Sequence, residues 1–115
     1  MSVAIYHNPR CSKSRQTLDI LNQQNVDLEI IEYLKTSPNA KTLKQILSYL
    51  DISARELLRK GESAYKDAGL DDTSLSEDDL ITAMVEYPIL IERPIVVNNG
   101  KAAIGRPPES VLDIL

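Results

Sequence analysis

Residues 3–34 read strand, helix, strand, and that order constrains the fold more than any other feature of the chain. "VAIY" (3–6) is a short apolar run that ends in "HNP", a turn. A helical pattern then runs from Ser12 to about Gln24, with Leu18 and Leu21 on one face. "LEIIEYL" is β-rich and reads as a second strand. Two strands joined through a helix pair in parallel by a right-handed crossover. The chain therefore starts a sheet whose strands lie against a helix.

"SPNA" breaks the pattern. Leu43, Ile46, Leu47 and Leu50 then recur at i, i+3, i+4 and i+7, a helix with one buried face. Ser53 and Glu56 form a capping-box pattern, so "SARELLRK" is expected to be a short helix. Ser76 with Asp79 marks another helix start. Leu80, Ile81, Met84 and Val85 give that helix its apolar face, and Tyr87-Pro88 ends it. Glu77, Asp78 and Asp79 suit the positive end of its dipole. "PIVV", "NNG" and "KAAI" form a β-hairpin with an Asn99-Gly100 turn. "PESVLDIL" is a closing helix with Pro108 near its first position. The expected architecture is α/β: a mixed sheet flanked by helices, with a helical insertion between the second strand and the C-terminal hairpin.

The chain of 115 residues suits a single domain, residues 1–115, with a core that needs no disulfide or structural metal. A net charge of −4 argues against general nucleic-acid binding. No apolar run approaches a membrane span, and "MSVAIYHN" carries no secretory signal. One Cys and one His make a metal site improbable, and a lone Cys fits a reducing cytosol. The acidic run over residues 71–79 reads as a solvated loop and helix start, and the five Tyr as scattered core or surface residues.

Cys11 has two readings: a buried structural thiol, or a nucleophile at a strand-to-helix junction. Local sequence favours the second. Unpaired N–H groups and the positive end of a helix dipole stabilise a thiolate. Arg10, Lys13 and Arg15 are all basic, and Ser12 and Ser14 could donate to the sulfur or to a bound anion. Lowering the pKa by about two units takes about 2.7 kcal/mol. A helix N-terminus supplies up to ~2 kcal/mol and a nearby cation the rest. "CSKS" places Ser14 where a resolving cysteine would sit. A chain with one cysteine cannot close an internal disulfide, so electrons must come from a thiol on another molecule. Arg59, Arg93 and Arg106 are candidates for holding an oxyanion, although spacing alone leaves each a solvated surface charge. His7 reads equally as a polar residue satisfying the turn or as an electrostatic helper to Cys11.

Five stretches, "IYHNPRCSKSRQTL", "EYLKTSP", "ELLRKGE", "YPILIERPIVV" and "GRPPESVLDIL", resemble the glutaredoxin-coupled arsenate reductases over essentially the whole chain. The resemblance implies a thioredoxin-like fold. It implies that Cys11 is the nucleophile and that Arg59, Arg93 and Arg106 are the arginines that hold arsenate. His7, Ser14 and Arg15 match positions that support the thiolate, Ser14 also counting among the substrate-binding set. Pro94 matches the cis-proline of the fold. The implied sequence of steps begins with attack of Cys11 on arsenate and loss of water. Glutathione then attacks the adduct and reduces the arsenic, glutaredoxin resolves the glutathione-bearing intermediate, and arsenite leaves. No bound cofactor or metal is implied, glutathione being a co-substrate.

Two departures accompany the resemblance. The chain ends soon after "SVLDIL", where the plasmid-encoded type carries a further tail, and Lys13 stands where that type has a small polar residue. Two other functions remain open: an Spx-like thiol-stress regulator that binds RNA polymerase, and a glutathione-dependent thiol oxidoreductase with another substrate. Spx-type proteins usually carry C-x-x-C, and this chain has Ser14 there. The expectation is a cytoplasmic bacterial arsenate reductase serving arsenic resistance. It would be a monomer whose partners are arsenate, glutathione and glutaredoxin, with no nucleic acid or membrane.

Overall fold

The computed structural model describes residues 3–115. The chain divides into two compact units: the chain up to Thr36 together with Arg93–Leu115, and Ser37–Glu92.

The first unit is built on a four-stranded sheet. Its strands are β1 (Val3–Tyr6), β2 (Leu28–Ile31), β3 (Ile95–Asn98) and β4 (Lys101–Ile104), in spatial order β2-β1-β3-β4. β1 runs parallel to β2, with Val3 opposite Leu28 and Ile5 opposite Ile30. It runs antiparallel to β3, with Ile5 opposite Val96. β3 and β4 form the hairpin, and its two turn residues Asn99 and Gly100 have φ of 51° and 78°. Positive φ at both positions is what a two-residue turn matched to strand twist demands, and Asn-Gly adopts it at least cost. The sheet is mixed, as the element order implies, and thioredoxin-like, as the resemblance implies.

Along β1 burial alternates, Val3 and Ile5 being the buried pair. They pack with Leu21 of α1 (Ser12–Asn22), Val96 of β3 and Val111 of the closing helix. The closing helix, Pro108–Ile114, is a 3-10 helix and not the α-helix that the sequence suggests. Its burial explains the tighter winding. Pro108 and Val111 are buried and Ile114 packs on the same cluster. A spacing of three keeps all three on one face of a three-residue turn.

The second unit lies in sequence between β2 and β3 and is helical. It holds α2 (Ala40–Leu50), α3 (Ala54–Leu57), α4 (Ser63–Asp67), α5 (Glu77–Glu86) and a 3-10 turn at Pro88–Leu90. Asn39 caps α2 by accepting the Thr42 N–H at 2.8 Å. Ser76 and Asp79 close a reciprocal capping box on α5. Two helices differ from expectation. α3 stops at Leu57, because Leu58 leaves the helix to bridge Ile91 in an antiparallel pair. α4, on which the sequence reading placed no helix, is a single short turn with only Tyr65 buried. A segment of five residues with one apolar anchor carries no periodic signal. Among the described residues, no helix is long and apolar enough to cross a membrane.

Leu21 has no exposed surface and touches both the sheet and the closing helix. Leu21→Ala is expected to cost about 3 kcal/mol, since it removes buried methyl groups and leaves a cavity between layers. Urea denaturation of both proteins measures this; a loss below about 1 kcal/mol would show that the cluster does not hold the layers together.

Candidate active site

β1 ends at Tyr6, and the chain must turn before it can start α1. Asn8 makes that turn. Its carbonyl accepts the Cys11 N–H at 3.0 Å, and its side-chain Oδ1 accepts the Arg10 N–H at 3.0 Å. The His7 N–H bonds Ile31 O at 2.8 Å, so the turn begins while still tied to β2. Cys11 is the N-cap, with an extended backbone and a carbonyl that accepts the Arg15 N–H at 3.0 Å. Its sulfur thus sits at the mouth of α1, partly exposed.

Ser14 lies one turn inside the helix with no exposed surface. Its hydroxyl oxygen accepts the Asn8 N–H at 3.0 Å and is 2.6 Å from His7 Nδ1. His7 is itself buried, and burial, the largest influence, pushes its pKa down; Glu32 works against this and Arg15 with it. The lowered pKa favours the neutral imidazole, whose Nδ1 reaches the turn through Ser14. Ser14 in turn faces the sulfur with its backbone N–H, its hydroxyl being engaged on the other side. Arg15 donates to Pro9 O at 2.9 Å, which fastens the helix back onto the turn.

Two arginines stand at the sulfur. Arg106 follows β4 and donates from Nε to the Arg93 carbonyl at 2.8 Å. One of its terminal nitrogens donates to Cys11 Sγ at 3.6 Å. Arg93 precedes β3, and its guanidinium also hydrogen-bonds the thiol. Burial pushes the Cys11 pKa up, but it is outweighed. The Ser14 N–H, the hydrogen bond and charge of Arg93, and the Lys13 N–H bring it below the ordinary thiol value. The N–H groups face the sulfur without closing a cap hydrogen bond of standard geometry. The outcome is a sulfur surrounded by donors and positive charge. Such an environment favours the thiolate over the thiol, and guanidinium forks are suited to oxyanions.

Arg106 is aimed by packing that the sequence does not announce. Gly105 N–H bonds Pro94 O at 2.9 Å, across from the cis Arg93–Pro94 peptide; the Arg106–Pro107 peptide is also cis. A Cβ on Gly105 would run into Thr17 Oγ1 and would lie 2.8 Å from Pro94 Cγ. Thr17 is fully buried and donates to Lys13 O at 2.8 Å. Gly105 is therefore a close-approach glycine, and Thr17, Pro94 and Gly105 together fix where the Arg106 backbone emerges. Asn8, Thr17 and Gly105 are absent from the sequence-derived site. Only Asn8 had a signal, as the Asn-Pro pair of a turn.

Arg59 belongs to the second unit. The Leu58–Ile91 bridge holds its backbone, with Arg59 N–H on Leu90 O at 2.7 Å and Glu92 N–H on Leu57 O at 2.9 Å. Its guanidinium lies between two carboxylates, Glu92 at 2.6 Å and Glu62 at 3.2 Å. All three side chains are between 23 % and 28 % exposed, so the pairing is sheltered.

Gly105→Ala is expected to push Thr17 and the Pro94 ring apart, costing about 1–3 kcal/mol, and to displace Arg106 from the sulfur. Alkylation of Cys11 by anionic iodoacetate should then slow more than alkylation by neutral iodoacetamide. Adding Thr17→Ala removes two of the three crowded atoms and should restore part of both. An unchanged ratio of the two reagents would exclude Gly105 from positioning Arg106.

The model of the ArsC family matches residues 6–114. The uncharacterized protein YfgD of Escherichia coli (strain K12) is 58 % identical over 114 residues, covering 98 % of this chain and 96 % of that protein. An arsenate reductase of Neisseria meningitidis (strain DSM 15465 / Z2491) is 45 % identical, covering 98 % of this chain and 97 % of its own. The solved structure of an arsenate reductase from Vibrio cholerae superposes with a TM-score of 0.96 at 52 % identity, over 100 % of this chain and 98 % of the other. With the match running from the end of β1 through the closing helix, the chain belongs to the ArsC family.

Proposed function

We propose that the chain is an arsenate reductase in which Cys11 is the nucleophile and external thiols are the reductant. The observation that carries this reading is the sulfur itself. It lies at the N-terminus of α1 with a lowered pKa, 3.6 Å from the Arg106 guanidinium and hydrogen-bonded by Arg93. A relative of 45 % identity over nearly the whole chain bears the name arsenate reductase, which supports arsenate as the oxyanion.

In this reading Arg93, Arg106 and Arg59 neutralise the oxyanion as the anionic sulfur approaches it. Electrostatic stabilisation of this kind is commonly the largest contribution to a barrier's lowering. Arg59 would exchange its Glu62 and Glu92 partners, in part, for arsenate oxygens. His7, Ser14 and Arg15 hold the turn that presents the sulfur, and Pro94 holds the strand that presents Arg93. The thiolate displaces one arsenate oxygen, which leaves as water. The arsenic then falls from the pentavalent to the trivalent state by taking two electrons. These come from two external thiols, those of glutathione and glutaredoxin, which end joined in one disulfide. Cys11 is returned as a thiolate when arsenite is released, so the cycle needs no second cysteine in this chain. The protein would work as a monomer in the cytoplasm, without a bound cofactor.

The test is arsenate-dependent oxidation of NADPH with glutathione, glutaredoxin and glutathione reductase supplied. Wild type is expected to turn over. Cys11→Ser should be inactive, because a serine hydroxyl is hardly ionised at neutral pH. Arg93→Ala should lower kcat/KM for arsenate by about 100-fold, the scale of losing one stabilising donor. No arsenate turnover in wild type, together with a thiol that still alkylates rapidly, would reject arsenate as the substrate. Capture of RNA polymerase in that case would favour regulation over catalysis.

A further inference from the structure

A second feature of the first unit adjoins the cysteine turn. Residues 7–10 form one wall of a groove, and Glu32, Leu34 and Lys35, which follow β2, form the other. Its volume is about 320 Å³, within the range of small-ligand sites. The groove and the sulfur share one turn, since Arg10 is the residue before Cys11.

The lining carries a specific set of charges. Arg10 and Lys35 are cationic and Glu32 is anionic, with the neutral His7 and the buried Asn8 between them and exposed Leu34 as an apolar surface. Glu32 and Lys35 already face each other at 3.6 Å, but their side chains are 42 % and 77 % exposed. A pair so exposed is weak and opens readily to a competing ligand. The fold of the wall does not depend on it. Lys35 N–H and Thr36 N–H both bond Glu32 O at 3.0 Å, which sets the turn by backbone alone.

With one cysteine, the chain needs a thiol brought from outside. We infer that this groove is the docking site for that thiol's carrier, a small peptide with two carboxylates and one ammonium, the charge pattern of glutathione. Two cations and one anion on the protein mirror that pattern, with Arg10 and Lys35 taking the carboxylates and Glu32 the ammonium. The inference rests on the proposed external-thiol reaction and names where its first reductant is held.

The experiment uses S-methylglutathione, which has no free thiol and so reports binding apart from any turnover. Titration into the isotope-labelled wild-type protein should shift the amide resonances of Asn8, Arg10, Glu32, Leu34 and Lys35. Lys35→Glu should weaken binding by about tenfold. The N-acetylated analogue, which lacks the ammonium, should bind less well than the parent to wild type and equally well to Glu32→Gln. In the coupled assay, Lys35→Glu should raise KM for glutathione and leave KM for arsenate within about twofold. Binding in the groove by a protein that does not reduce arsenate would sustain this inference and remove the proposed activity. Arsenate turnover with a glutathione KM unaltered by Lys35→Glu would do the reverse. Shifts confined to other surfaces, or equal affinity in the variants, would overturn the groove as the docking site.

Discussion

The lowered pKa of Cys11 depends on groups that the first unit gathers from separate parts of the chain. Partial burial alone would keep the thiol protonated. The N–H groups at the start of α1 and the Arg93 guanidinium reverse that. Each stabilising group arrives from a different part of the chain. The helix end follows β1, Arg93 precedes β3, and Arg106 follows β4. Because β1 runs antiparallel to β3 and β3 antiparallel to β4, the end of β1, the start of β3 and the end of β4 all lie at one end of the sheet. The Arg106 bond to the Arg93 carbonyl ties the Arg106 side chain to the backbone of the residue that carries the other cation.

A second tier of residues serves this arrangement without touching the sulfur. Ser14 spends its hydroxyl on His7 and Asn8, which keeps the turn in the shape that exposes Cys11. Thr17 and the Pro94 ring leave no room for a side chain at Gly105, and that contact sets the exit of the next residue, Arg106. In the second unit, Glu62 and Glu92 hold the Arg59 guanidinium between them.

Much of the frame was legible in the sequence because it depends on short-range signals. The Asn99-Gly100 turn, the Ser76–Asp79 box and the β1–α1–β2 order all appear in the structure where pattern and turn chemistry put them. The closing helix was legible as a helix but not as a 3-10 helix. Its apolar residues at 108, 111 and 114 fit a period of three, but so short a segment fits an α-helical period as well. Cys11 was legible as a candidate nucleophile from its basic neighbours. The arginines were not, since nothing local distinguishes Arg93 or Arg106 from a solvated cation, and only the resemblance singled them out. Thr17 and Gly105 were beyond reach altogether, because their contact joins α1 to the end of β4, residues 88 positions apart in a chain with no other sign of it.

This environment holds the Cys11 pKa below the ordinary thiol value, and titration of its ultraviolet thiolate absorbance tests that most directly. Because the folded pKa is lowered, the absorbance of the wild-type protein should persist as the pH falls below the ordinary thiol value of about 8.5 and vanish only at a more acid midpoint. Arg93→Ala should move that midpoint upward. A wild-type midpoint at or above the ordinary value, or one that Arg93→Ala leaves in place, would contradict the account.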